Sequence, residues 1–154
     1  MPSYDELVKE ASLRVKEIYP WDLRDMIASG SPLLLLDVRE PSEFSAVHIP
    51  GSVNVPRGVL EQACEWDYEE TLPQLASRQE LDIVVICRSG KRSLLAADRM
   101  LEMGFAHVVS LKTGVRGWND FEQPLANMEG EFMDADDADL LLSPKPRADQ
   151  KRPA

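Results

Sequence analysis

Leu81-Asp82-Ile83-Val84-Val85-Ile86-Cys87-Arg88-Ser89-Gly90-Lys91-Arg92-Ser93 is the stretch on which the reading of this chain turns. Its first half is a short apolar run rich in β-branched residues, which predicts a strand buried on both faces. Its second half is a polar loop containing a glycine. Ser93 to Met103 then place Leu94, Leu95, Ala97 and Leu101 on one face of a helix, with Gly104 positioned to close it. A buried strand, a short loop and an amphipathic helix make one unit of an α/β fold.

Working outward, the same unit recurs. Ser31-Pro32 opens a second apolar run, Leu33 to Val38, read as another buried strand. A helical turn follows around Ser42 to Val47, Pro50-Gly51 makes a turn, and Val53 to Val55 form a short strand. Trp21 to Ala28 read as a helix ended by Gly30. Residues 57–80 hold helical pieces among acidic residues. Phe105 to Leu111 are the last strand, and Gly114 to Phe121 a short helix stopped by Pro124. Residues 4–18 set Leu7, Val8, Ala11, Val15 and Ile18 near helical spacing, an amphipathic helix ended by Pro20. Strands alternating with helices predict a single α/β domain, a central parallel sheet with helices on both faces and right-handed crossovers. In such sheets the working site lies beyond the carboxyl ends of the strands, here after Leu36, Val55 and Ile86.

The expected organisation is an N-terminal amphipathic helix extension over 1–20, the domain over 21–125, and an acidic then basic tail over 126–154. The tail reads as disordered. The alternatives are a docking segment anchored by Leu140-Leu141-Leu142, or pairing between its acidic and basic blocks.

The 154 residues are 44% hydrophobic and 29% charged, enough for one core and against a two-domain, collagen-like or wholly disordered chain. Seventeen Lys and Arg face 27 Asp and Glu, a formal net charge of -10. That field opposes binding to nucleic acid or an anionic membrane. A small anion can still bind where positive charge is gathered. Cys64 and Cys87 form no CxxC pair, and with His48 and His107 they match no zinc spacing, so neither a metal nor an organic cofactor is expected. The sparse cysteines and the absence of a signal-like N-terminus point to a reducing, cytoplasmic setting.

The segment from Cys87 to Arg92 puts three cations in six residues of an acidic chain. A cysteine between a buried strand and a helix N-terminus faces backbone N–H groups and partial positive charge, which favour a thiolate. The thiolate is the nucleophilic form, and the same cradle would hold an incoming anion. A merely buried cysteine beside an ordinary solvated loop is the competing account.

This Cys-x-x-x-x-Arg loop opening a helix resembles the active-site loop of the rhodanese family of sulfurtransferases. Leu36-Asp37-Val38-Arg39-Glu40 resembles that family's Asp-x-Arg stretch, His48-Ile49-Pro50-Gly51-Ser52 its His-Ile-Pro-Gly-Ala signature, and Gly114-Val115-Arg116-Gly117-Trp118 its Gly-Gly-x-x-x-Trp signature. Thr113 stands where the last signature has its first glycine, and Ser52 replaces the common alanine. The resemblance implies a single rhodanese-like domain that moves sulfane sulfur. Cys87 would take the outer sulfur of thiosulfate or a similar anion, hold it as a persulfide within the loop Arg88, Ser89, Gly90, Lys91, Arg92 and Ser93, and pass it to cyanide, a thiol or a protein acceptor. Arg88 and Lys91 would attract the donor, and Arg92 would order the loop. Two other readings are a persulfide carrier serving a protein partner, and a non-catalytic binding module. Phosphatases of this fold use a Cys-x5-Arg loop, one residue wider than the loop here.

Asp37 and Arg39 are expected to support the site by pairing at a strand end. His48 is expected to bond locally rather than act as a base, and His107 to lie in a strand without chemical neighbours. Trp118 should pack beneath the site, and Arg57 could reach its mouth. Cys64 is either an inert thiol or a redox partner for Cys87.

Overall fold

A computed structural model describes residues 1–154. In chain order the elements are α1 (Tyr4–Ser12), β1 (Lys16–Ile18), α2 (Pro20–Ala28), β2 (Leu33–Asp37), α3 (Pro41–Ala46), β3 (Val53–Asn54), α4 (Leu60–Ala63), α5 (Pro73–Ala76), β4 (Asp82–Ile86), α6 (Lys91–Glu102), β5 (Val108–Leu111), α7 (Gly114–Asp120) and α8 (Ala135–Leu142). The five strands make one sheet in the order β1-β5-β4-β2-β3, every pairing parallel. The α/β reading and the parallel sheet therefore hold.

Parallel strands covered on both faces need apolar residues at successive positions, because neighbours point opposite ways. Leu34, Leu36, Ile83 and Val85 face one core with residues of α1, α4 and α6. Leu35, Val84 and Ile86 face the other with residues of α2, α7 and α8. The registers Leu36↔Val85 and Asp37↔Ile86 bring the ends of β2 and β4 level. The segments leaving Asp37 and Ile86 must then meet.

Three expectations need correction. The helix read over 4–18 stops at Ser12, and Lys16 to Ile18 run as a strand beside β5. Val15 and Ile18 satisfy a helical spacing, but the open edge of β5 offers a full ladder of backbone partners, and that pairing wins. The N-terminal segment is therefore part of the sheet. The last strand begins at Val108 rather than Phe105, because the Phe105 N–H bonds back to the Met100 carbonyl and finishes α6, with Gly104 at φ +95.

The tail read as disordered carries α8. The Asp134 side chain accepts from the N–H groups of Asp136 and Asp137 at 2.9 and 3.3 Å, and these acidic residues lie where a helix dipole favours negative charge. The charge run is a helix start. Ala138 and Leu142 are buried against the rest of the fold, and the Asn119 amide donates to the Ala135 carbonyl at 2.9 Å. Of the three leucines, Leu140 and Leu141 remain exposed. No helix is long and apolar enough to cross a membrane.

If α8 belongs to the core, Leu142→Ala lowers the free energy of unfolding by about 2–4 kcal/mol, whereas Leu140→Ala changes it by less than about 0.5 kcal/mol. Urea titration of the two variants beside the parent reads the difference; equal values would mean that α8 does not pack as described.

Candidate active site

Cys87 follows β4, a strand flanked by β5 and β2, and is almost fully enclosed, 1% exposed. The loop curls back on it. The Gly90 N–H points at Sγ from 3.1 Å, in a backbone conformation, φ +99, that glycine adopts without strain. The Ser93 hydroxyl lies 3.4 Å from Sγ and 2.7 Å from the Ser110 hydroxyl, and both serines are fully buried. Hydroxyls can turn. With a neutral thiol, Sγ–H donates to Ser93; with a thiolate, Ser93 donates to the sulfur while Ser110 donates to Ser93. The chain of hydroxyls serves either charge state.

The loop is held from below by α7. The Cys87 carbonyl accepts from the Val115 N–H at 2.9 Å and the Arg88 carbonyl from the Arg116 N–H at 3.0 Å. So close an approach requires Gly114. A Cβ there would lie 2.5 Å from the carbonyl carbon and oxygen of Arg88 and closer still to the Cys87 oxygen, and its backbone is left-handed at φ +61. Thr113, where the resembled signature has a glycine, also sits at φ +68, a costly place for a β-branched residue.

The cations of the loop have separate jobs. Arg92 donates through both terminal nitrogens to Glu43 of α3, at 2.8 and 2.9 Å, and so fixes the loop from within as expected. These bonds, foremost, hold the Glu43 carboxyl down at about 2, helped by the Glu40 N–H and the charge of Arg39. Lys91 reaches away to Asp5 of α1 at 2.8 Å, with its ammonium 5.6 Å from the Tyr4 ring. Arg88 is half-buried and has no carboxylate partner; it lines a small cavity with Arg39, Glu43 and Leu142. Tyr4 is a site residue that the sequence does not disclose. The Lys91 contacts with Asp5 and Tyr4 set the start of α1 beside the loop, and the Tyr4 phenol is pushed up, chiefly by burial.

The supporting residues behave as scaffold. Asp37 and Arg39 are buried at 0% and 1% and pair through two nitrogens, and Arg39 also donates to the Val47 carbonyl at 2.6 Å. The Asn54 amide joins the Asp37 and Arg39 carbonyls. His48 bonds the Phe44 carbonyl at 2.7 Å and stacks on the Phe44 ring. Trp118 is buried and donates to the Pro124 carbonyl. Arg57 pairs with Glu61, and His107 is exposed just before β5. Cys64 is buried at the end of α4, and burial pushes its thiol up to about 11. No three His, Cys, Asp or Glu side chains gather into a metal-binding group.

Beside the loop a cleft of about 490 Å³ opens between the carboxyl ends of three neighbouring strands. Tyr19, Pro20 and Trp21 follow β1, Ser89 follows β4, and Thr113, Arg116 and Phe121 belong to the segment after β5. The first wall is hidden in the sequence, because β1 has the spacing of a helix. Arg116 enters the sequence reading only as part of a packing signature.

Known proteins resemble this chain in sequence and in fold. The model of the family described as "Rhodanese-like domain" matches residues 20–121. A Bacillus subtilis relative named "Putative sulfur carrier protein YrkF" is 34% identical over 109 residues, 71% of this chain and 54% of that protein. The chain thus spans about half the length of that relative. An Allochromatium vinosum protein named "Sulfurtransferase" is 27% identical over 116 residues, 75% of this chain and 99% of its own. Among solved structures, a Rhodopseudomonas palustris protein of unknown function described as "Possible Tyrosine Phosphatase" superposes with a TM-score of 0.73 at 27% identity, covering 79% of this chain and 92% of its own.

Two outcomes test the support of the loop. Gly114→Ala displaces the Cys87 and Arg88 carbonyls; trypsin cleavage after Arg88 accelerates while far-ultraviolet circular dichroism stays near that of the parent. Glu43→Gln removes a carboxylate whose folded-state pKa lies below its unfolded one. The pair's stabilisation is full above pH 4.5 and is lost as pH falls towards 2. The variant is therefore less stable by about 1 kcal/mol at pH 7 and no different from the parent near pH 2, measured as urea midpoints across that range.

Proposed function

Because the chain belongs to the rhodanese-like family, we propose that this member of a sulfurtransferase and sulfur-carrier family moves sulfane sulfur through a persulfide on Cys87. The observation that carries the reading is the cradle at Sγ. A strand-end cysteine receives the Gly90 N–H at 3.1 Å and a reversible chain of buried hydroxyls, at the start of a twelve-residue helix. Preorganised donors of this kind favour an anionic sulfur and stabilise charge as it develops.

The Cys87 thiolate attacks the outer sulfur of a donor such as thiosulfate. A bond forms between the two sulfurs, the donor's S–S bond breaks, and sulfite leaves with the electron pair. The Cys87 persulfide is then attacked at its outer sulfur by a thiolate or cyanide. The acceptor gains that sulfur and the Cys87 thiolate returns, giving a two-step ping-pong cycle. Arg88 supplies positive charge at the loop without a carboxylate to neutralise it, and with the loop from Ser89 to Ser93 forms the proposed substrate cradle. Asp37 and Arg39 hold that cradle in place from behind.

A phosphatase of this fold would need the loop arginine on a phosphoryl group. Here Arg92 spends both terminal nitrogens on Glu43, and only four residues separate it from Cys87. Both features favour a sulfur atom over a tetrahedral phosphoryl group. Delivery to a protein acceptor is a second reading. It is supported by the exposed Tyr19 and Trp21 beside the loop and by the name of the Bacillus relative. A reducing cytoplasm, where thiols persist, belongs to the same proposal.

Intact mass after incubation with thiosulfate is the test. The reduced protein gains one sulfur, cyanide removes it, and Cys87→Ser gains none, whereas Cys64→Ser loads like the parent. A reduced parent that gains no sulfur from thiosulfate would sink the thiosulfate reading.

A further inference from the structure

α1 lies outside the family match, which begins at residue 20. It nevertheless runs beside α6, the helix that the cysteine loop opens. Val8 and Ala11 join the apolar cluster that holds Leu94 and Ala97 of α6. Arg14 donates to both oxygens of Asp98, at 2.7 and 2.6 Å, and Lys91 donates to Asp5 at 2.8 Å. The two helices therefore lie side by side in the same direction, with the start of α1 at the start of α6. Ser3 fixes that start. Its hydroxyl accepts from the Glu6 N–H at 3.1 Å, and Glu6 accepts from the Ser3 N–H at 2.8 Å. Asp5 sits inside this capping box, on a turn held against fraying.

The two ion pairs of the loop differ in kind. Arg92 and Glu43 are 31% and 30% exposed and meet through two nitrogens, so they belong to the framework. Lys91 and Asp5 are 48% and 77% exposed and meet through one nitrogen. An exposed pair of this sort adds little to stability, and an ammonium on a flexible four-carbon stem changes partner readily. The contact is suited to exchange. Its effect is on charge, because Asp5 is the one carboxylate within ion-pair distance of Lys91, four residues beyond Cys87. The Tyr4 ring lies 5.6 Å from the Lys91 ammonium. Its phenol is raised by burial first and then by the charge of Cys87, and lowered by Arg92 and Lys91, so one group feels the nucleophile and both cations.

We propose that Asp5 is a specificity-determining residue of the sulfur-loading step: it competes with an incoming anion for Lys91, and so sets how tightly an anionic donor binds at the loop. The proposal rests on the persulfide reading and adds to it a control that comes from outside the matched domain. A dianion such as thiosulfate must draw Lys91 away from Asp5, or else bind beside a lysine already neutralised. In both cases the carboxylate weakens the donor's hold through the lysine it occupies. The other two loop cations are untouched by it, since Arg92 stays on Glu43 and Arg88 has no carboxylate partner.

The experiment has two arms. In the first, loading from thiosulfate is followed by intact mass over a range of concentrations at low ionic strength. Asp5→Asn lowers the half-saturating concentration about threefold, the scale of an exposed ion pair, and leaves the maximal rate constant unchanged. High salt closes the difference. Asp5→Glu, which keeps the carboxylate, stays at the parent value, as does Glu70→Gln, which removes an exposed charge that pairs with no cation. A double-mutant cycle gives the decisive comparison. In a Lys91→Gln background, Asp5→Asn changes nothing. An equal fall in that background would mean that Asp5 acts by general charge, and a change confined to the maximal rate that it only supports α1; each overturns the competition.

The second arm needs no sulfur transfer. Thiosulfate is titrated into Cys87→Ala protein and followed at the Gly90 amide resonance. The shift saturates, and adding Asp5→Asn lowers the dissociation constant by the same factor, about threefold. The absence of a shift, or equal constants, overturns the proposal. A tighter constant in this arm, with no sulfur gained by the reduced parent in the first, overturns the persulfide reading alone.

Discussion

The carbonyls of Cys87 and Arg88 lie against the first turn of α7, and their contact with it requires a residue with no Cβ at position 114. Two backbone hydrogen bonds cross that contact. They set the direction in which the loop leaves β4, and hence which N–H groups turn towards Sγ. Gly90 approaches Thr113 from the other side, where a Cβ would stand 3.1 Å from the Thr113 nitrogen. The two loops beyond these adjacent strands are thereby interlocked through backbone, with little that a side-chain change elsewhere can adjust. The cysteine's surroundings are fixed before any charge is considered.

Charge then divides the labour. The buried Asp37 and Arg39 pair ties the end of β2 to the Val47 carbonyl, and Glu43 carries the same region on to Arg92. Buried ion pairs seldom add much net stability, but removing one member leaves an uncompensated charge that costs about 3–5 kcal/mol. Their effect is to hold one arrangement of loops. Cations spent on that framework cannot bind substrate, which leaves Arg88 and Arg116 as the arginines without a carboxylate partner at the loop.

The sheet and the loop are legible in the sequence because their signals are local. Leu33 to Asp37 and Asp82 to Ile86 are almost wholly apolar between their ends, as doubly covered strands must be, and the cationic loop follows one of them directly. β1 is not legible, since Val15 and Ile18 continue the helical spacing of α1 and the strand character of Lys16 to Ile18 comes from the distant β5. The acidic run before α8 carries two meanings, solvated tail and helix start, and only the burial of Ala138 and Leu142 separates them. Glu43 and Tyr4 carry no local sign of their roles, because each acts through a residue far away in sequence. Lys91 looks free for an incoming anion until the fold brings Asp5 to it.

The edge position of β1 also orders events in time. Residues 16–18 find their ladder only on residues 109–111, so the first strand of the sheet must wait for the last. Pairing across so wide a separation in sequence closes late and slowly. Until it closes, Tyr19 and Trp21 have no fixed place, and the cleft they wall does not exist. A partly folded chain can therefore hold β4, β5 and the cysteine loop on α7 while the aromatic wall is still absent.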